Sequence, residues 1–228
     1  MTIHLIGTSH IAQQSLREIK TAIEEGQPDL VAVELDSQRA AALLQEHKGK
    51  ISLADIAKVG FKGYLFAKIG QYIQQKLGKM VGLDPGSDMK TAILLAKKNK
   101  KQVVLIDQPI QVTLKKFSKE LTWKEKGRFA ADIFKGIFFR KQYLKESGLD
   151  NLDLRTVPSK ELIQKMVGEM KKRYPSVYKT LVADRNEYMV KQLVSLLRKN
   201  PDQKILAVVG AGHEEGMKKL LLNVEVVR

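Results

Sequence analysis

Ile3-His4-Leu5-Ile6-Gly7-Thr8-Ser9-His10 stands at one end of the chain, and Ile205-Leu206-Ala207-Val208-Val209-Gly210-Ala211-Gly212-His213 stands near the other. Each is an apolar run that meets a glycine and then, three positions on, a histidine. Continuous Ile/Leu/Val runs bounded by glycine read as strands buried on both faces. Leu30 to Val33 and Val103 to Ile106 are further runs of this kind. Amphipathic stretches separate them: Ala12 to Glu25, with Leu16, Ile19 and Ile23 at helical spacing; Ser37 to His47; Asp88 to Lys98, with Ser87 as its N-cap; Tyr178 to Arg198; and Glu214 to Leu222. Val224 to Val227 reads as a last short strand. Strands alternating with helices imply an α/β fold, a largely parallel central sheet flanked by helices.

The residues just past each strand matter as much as the strand itself. Ile6 leads to Gly7 and His10, Val33 to Glu34-Leu35-Asp36, Ile106 to Asp107, and Val209 to Gly210 and His213. In a parallel sheet those exits share one edge, where open α/β folds place their sites. Glycine lets the chain turn tightly there, so that a histidine projects at the lip of the sheet. The chain has only four histidines, and two of them occupy this context. Glu34 directly succeeds a wholly apolar strand, where an unpaired carboxylate would cost several kcal/mol on burial. It therefore needs a cation, a metal or a donor.

Each of these residues also has a plainer reading. A loop histidine is more often a surface residue than a ligand. Asp36 can simply N-cap the helix from Ser37, and Asp107, before Gln108-Pro109, can do no more than shape a turn. Asp88 in the first turn of its helix is stabilised by the helix dipole whatever else it does. His4 within a strand and His47 at a helix end carry no functional signal. Asp184-Arg185-Asn186 is a dense polar cluster in a mostly apolar helix. Consecutive helical residues point about 100° apart, so at least one should face inward. Arg185 or Arg39 could then be the permanent cation for the strand-end carboxylates, in bidentate geometry.

At 228 residues the chain is long enough for one large domain, and a hydrophobic fraction of 43% argues against wholesale disorder. The absence of cysteine excludes disulfides, thiolate metal sites and a cysteine nucleophile. No signal-peptide pattern opens the chain, and no apolar run approaches the roughly 20 residues of a spanning helix. The net charge of +15 is regional. Ile56 to Leu83 has five lysines and no acid, and Lys115 to Lys145 has ten basic residues against three acidic, both with interleaved aromatic residues. They read as basic amphipathic helices that suit an anionic membrane surface, or alternatively internal packing and self-association into a homo-oligomer. No specific nucleic-acid motif accompanies the charge. Gly210-Ala211-Gly212 with Gly216 is off the dinucleotide fingerprint, with too little chain after it to complete the unit.

The order and context of these motifs resemble the TraB/PrgY (pheromone-shutdown) family. The likeness rests on His4 to His10, on Pro28 to Asp36 with Arg39, and on Pro85-Gly86-Ser87-Asp88-Met89 and Val104 to Asp107. It continues through Asp184-Arg185-Asn186 with Met189 and Val209 to His213, and so runs from residue 3 to about 222. The resemblance implies one TraB-type domain over 1–228, with helical insertions at about 52–83 and 111–175. It also implies kinship with Tiki metalloproteases, erythromycin esterases and ChaN-like haem-binding proteins, hence an erythromycin-esterase/ChaN-like fold. Carried over by motif, His10, Glu34, Arg185 and His213 form the site. The family often has Glu where Asp184 and Asp88 stand here, which shortens each reach by one methylene. Many prokaryotic members continue into C-terminal membrane segments, whereas this chain ends at Arg228.

The expected function is a metal-assisted hydrolase acting on peptides. His10, Glu34, His213 and Asp184 would hold a divalent ion, Mn²⁺, Co²⁺, Zn²⁺ or Fe²⁺, since imidazoles and carboxylates without thiolate suit these. His10, Glu34, Arg39, Arg185 and Asn186 would be the catalytic residues. The metal would acidify its water, Glu34 or Asp36 would take the proton, and Arg185 would stabilise developing negative charge. In a metal-free variant His10 is the general base and Glu34 orients it. The alternative is a binding protein without turnover, sequestering a peptide or sitting at a membrane face. The expected location is cytoplasmic, with peripheral attachment to a membrane as its variant.

Overall fold

The computed structural model describes residues 2–8, 13–44, 86–138 and 160–226. The insertion expected at about 52–83 lies outside the described residues, as do His10, His47 and the stretch 139–159. The expected parallel sheet is present: β1 (Thr2–Thr8), β2 (Leu30–Val33), β3 (Gln102–Leu105) and β4 (Lys204–Gly210) form one sheet in the order β1-β4-β2-β3. All its pairings are parallel, with Thr8 opposite Gly210 and Val33 opposite both Val208 and Leu105. Every strand therefore ends at the same edge.

The central strands β2 and β4 run apolar and buried on both faces, Lys204 at the start of β4 apart, whereas the edge strands β1 and β3 carry the exposed His4 and Gln102. Ile6, Val31, Val33, Leu206 and Val208 point to one side, into a core with Ile19 and Ile23 of α1 (Gln13–Glu24) and Ala40 of α2 (Ser37–Leu44). Met89, Ala92, Ile93 and Ala96 of α3 (Ser87–Lys98), spaced at i, i+3, i+4 and i+7, complete that side. The alternate strand residues Leu5, Leu30, Ala32, Ile205, Ala207 and Val209 point the other way. They meet Met189, Val190, Leu193 and Leu197 of one helix and Met217 of another. A buried leucine such as Leu193 is worth about 2–5 kcal/mol against alanine.

The described chain between β3 and β4 is mainly helical. After α4 (Ile110–Glu120), α5 (Trp123–Phe138) starts on a capping box. The Glu125 amide donates to the Thr122 hydroxyl, and the Thr122 amide donates back to Glu125, at 3.2 Å each. Glu125 also accepts the Ser176 amide at 2.8 Å, tying α5 to the short α7 (Pro175–Tyr178) that comes after α6 (Lys160–Arg173). The expected helix from Tyr178 is present with a change of winding. Lys179–Ala183 is a π-helical turn before α8 (Asp184–Lys199). Among the described residues no helix is long and apolar enough to cross a membrane.

Three local expectations are corrected. Val224 to Val226 are not strand but the last residues of α9 (Ala211–Val226), and Val227 lies outside the described residues. Met217, Leu220 and Leu221 share the core of the second face, and Val224 prolongs their spacing, so packing overrides β propensity. The same helix begins at Ala211, directly off β4, which puts His213 in a first turn and not in a loop. Ser87 does not cap α3: the N-cap is Gly86, at φ 81°, and the buried Ser87 hydroxyl has no hydrogen-bond partner among the described residues.

Candidate functional site

The ladder between strands continues for a few residues past their ends, and this is what assembles the site. The Glu34 amide donates to Val208 O at 3.0 Å, Ile106 to Val33 O at 3.1 Å, and Asp107 to Leu35 O at 3.3 Å. Glu34 and Asp107, 73 positions apart in sequence, are thereby held beside each other at the carboxyl edge, both buried. The Gly210 amide, at the end of β4, donates to Glu34 Oε2 at 2.6 Å. One oxygen of Glu34 is thus fixed by backbone, leaving the other for a cation.

That cation is Arg185. Its Nη2 donates to Glu34 Oε1 and, at 2.6 Å, to Asp107 Oδ2. Its Nε faces both Asp107 oxygens, at 3.1 and 3.2 Å. Its Nη1 donates to Leu181 O at 3.2 Å and lies 3.1 Å from His213 Nε2. A guanidinium carries five N–H donors, and each of these has an acceptor. Burial works against the Arg185 charge, but the Glu34 and Asp107 carboxylates outweigh it and hold the guanidinium above its ordinary range. The π turn ends at Ala183, two residues before Arg185. The extra residue it inserts rotates the start of α8, so that Arg185 and Asn186 both face the sheet edge while Asp184 faces away.

His213 is buried and held at both ring nitrogens. Nδ1 lies 2.6 Å from Asn186 Oδ1, and Nε2 lies 3.1 Å from Arg185 Nη1 and 3.4 Å from Glu34 Oε1. Asn186 Oδ1 only accepts and Arg185 only donates, so the pattern assigns the proton to Nδ1 and a lone pair to Nε2. Asn186 approaches closely over Gly216, where any side chain would overlap its amide nitrogen.

A second tier surrounds this centre. Arg39 donates from Nε to Asp36 Oδ2 at 2.8 Å and from Nη2 to Asp107. Asp36 caps α2, accepting the Gln38 and Arg39 amides at 2.9 and 3.1 Å. The plainer reading of Asp36 and the reading of Arg39 as a carboxylate partner therefore both hold. At the end of β1 the Thr8 hydroxyl donates to the buried carboxylate of Asp88, which also accepts the Met89 amide at 2.8 Å.

Of the residues singled out from sequence, Glu34, Arg39, Arg185, Asn186 and His213 come together, and His10 lies outside the described residues. Asp184 is directed elsewhere: its carboxylate pairs with Lys116 of α4 at 2.8 Å and with Lys179 at 3.8 Å. Asp107, which a turn alone could explain, is instead the carboxylate shared by both arginines. Its signal is its position, an acid past a buried strand like Glu34.

Among the described residues no three of His, Asp and Glu are arranged as a metal-ligand set. Glu34 and His213, the two expected ligands that do converge, both face the charged Arg185 guanidinium. A divalent ion between them would displace or oppose that charge, so these donors as arranged do not fit one.

A mixed α/β chain with an arginine-centred carboxylate and histidine site at the carboxyl edge of a parallel sheet is the class that fold and site define. The TraB/PrgY/gumN family model matches residues 1–225, and the chain belongs to that family. It is similar to an uncharacterized protein of Methanocaldococcus jannaschii, 33% identical over 227 residues, covering 98% of this chain and 54% of that protein. It is also similar to TraB domain-containing proteins of Mus musculus and Homo sapiens, each 27% identical, covering 95% of this chain and 62% of theirs. The chain thus spans between half and two thirds of the length of these relatives.

Proposed function

We propose that the chain is a hydrolase acting on peptides, with His213 as its general base. The observation that carries this reading is the state of His213: Nδ1 on Asn186 Oδ1 at 2.6 Å, and an unprotonated Nε2 that accepts from Arg185 Nη1 and lies 3.4 Å from Glu34 Oε1. A carbonyl-type acceptor on one ring nitrogen fixes the tautomer and leaves the other basic, which is the arrangement a general base requires. Peptide as the substrate class comes from the resemblance to pheromone-shutdown proteins.

Arg185 enters the chemistry through His213. With all its donors engaged, the guanidinium has none to spare for a substrate oxygen in the resting state. When His213 takes a proton from the attacking water, Nε2 becomes a donor and can no longer accept from Arg185 Nη1. The imidazolium then finds Glu34 Oε1, 3.4 Å away. The released Nη1–H becomes available to the oxyanion forming on the scissile carbonyl, so base and oxyanion donor are switched by one proton. No step is routed through a metal.

Incubating the full chain with a defined peptide mixture and reading the products by mass spectrometry tests this. Cleavage that survives EDTA and is lost in His213→Gln is expected. Cleavage that requires added Mn²⁺, Co²⁺, Zn²⁺ or Fe²⁺ would overturn the mechanism in favour of the metal-assisted form. Peptides retained but never cut would make the protein a sequestering module.

A further inference from the structure

We propose that the junction of α4 and α5 docks the protein on an anionic bilayer, with Trp123 as the residue that enters the headgroup region. Trp123 stands at the start of α5 with 81% of its surface exposed, and Lys126 Nζ lies 4.2 Å from the centre of its ring. On α4, Thr113 and Phe117 are buried, while Val112, Lys115 and Lys119, spaced three and four apart, are exposed on another side of the helix. Lys124 extends the exposed basic run beyond the junction.

The sign of this surface is set by where its acids go. Glu120 accepts Lys179 at 2.7 Å, and the buried Glu125 accepts Thr122 and, at 2.8 Å, Ser176. Both carboxylates are used internally, whereas no described acid pairs with Lys115, Lys119 or Lys124. The exposed side chains of this stretch thus include a large amphipathic ring and a branched apolar side chain among lysines. Tryptophan prefers the level of lipid headgroups, and lysine stems lie along apolar surface while their charges meet anionic lipid. Polyanion binding without lipid would use the lysines but leaves no purpose for exposed Val112.

Trp123 is the only tryptophan in the chain, so emission excited selectively at tryptophan, beyond tyrosine absorption, reports on this surface alone. The full chain is mixed with vesicles of phosphatidylcholine, or of phosphatidylcholine and phosphatidylserine in equal parts, and both emission and co-sedimentation are read. The expected result is a blue shift and co-sedimentation with the serine-containing vesicles only, both reversed by molar salt as screening shortens. K119E/K124E, folded by circular dichroism, should partition at least about ten-fold more weakly and still cleave free peptide. Co-sedimentation without a blue shift would place the contact elsewhere and overturn the proposal. So would equal binding to both vesicles, absence of vesicle binding, or a shift produced only by a single-stranded oligonucleotide.

Discussion

Two arginine–carboxylate clusters in this molecule use the same chemistry to different ends. At the sheet edge, Arg185, with its side chain 14% exposed, binds Glu34 and Asp107, which are more buried still. On the helical side, Arg173 of α6, 47% exposed, grips both oxygens of Asp132 of α5 at 2.6 and 2.7 Å, with the Tyr174 hydroxyl on the same carboxylate. Phe129 packs edge-on against Tyr174 with centroids 6.2 Å apart, so this cluster fastens α5 to α6. Water reaches the arginine of the second cluster, although Asp132 is only 14% exposed, whereas no partner in the first is more exposed than that. Burial, not the ion pair as such, sets what each is worth.

Arg185→Met should break that comparison most severely. Glu34 would be left buried without its cation and Asp107 with Arg39 alone, costing about 3–5 kcal/mol in a urea melt. Arg173→Ala in the same assay should cost no more than about 1 kcal/mol. Equal losses would show that burial is not the deciding variable.

Gly216→Ala sharpens the site side of the comparison without touching a charge. The added methyl overlaps the Asn186 amide and moves it off His213 Nδ1. Peptide cleavage should fall about a hundred-fold through kcat, as expected for a displacement of roughly an ångström. A variant with normal turnover and an unchanged pH profile would separate Asn186 from the chemistry. Asn186→Ala should reproduce the defect, since it removes the same acceptor.

The smallest effect lies at alkaline pH. Burial, then the neighbouring Asp132 carboxylate, pushes the Tyr174 phenol up to about 12 from its ordinary value of 10.0. The folded state then keeps a proton that the unfolded state releases, so this contribution is present below pH 10 and is lost as pH rises toward 12. Tyr174→Phe should flatten that arm of the stability curve slightly, because the group is only partly buried. Arg185 is held above its ordinary range and stays charged throughout, so the buried cluster should add no slope there.

Legibility from sequence tracks locality. The central strands are readable because burial on both faces demands apolar runs, and Glu34 because a carboxylate against such a run needs a partner. Arg39 is readable from its place one helical turn after Asp36, whose side chain it meets. Asp107 is easily discounted, because a turn before Gln108-Pro109 explains it well enough. The Asn186–His213 contact joins residues 27 apart, and no local pattern marks it. The last helix misleads at both ends: the Gly-Ala-Gly run suggests a loop, and the valines near the C-terminus suggest a strand.

The sequence by itself determined the class of the fold, its parallel sense and the edge at which polar groups gather, because hydrophobic periodicity and strand-exit residues are written locally. It also determined that the positive charge is regional. Only the tertiary structure decided which cation meets which carboxylate. That choice depends on strand order, since β4 lies between β1 and β2 and brings Gly210 to Glu34. It depends equally on one π-helical turn, which aims Arg185 and Asn186 at the site and Asp184 at Lys116. Both are decisions about long-range geometry, and side-chain direction after them differs by far more than any local propensity can specify.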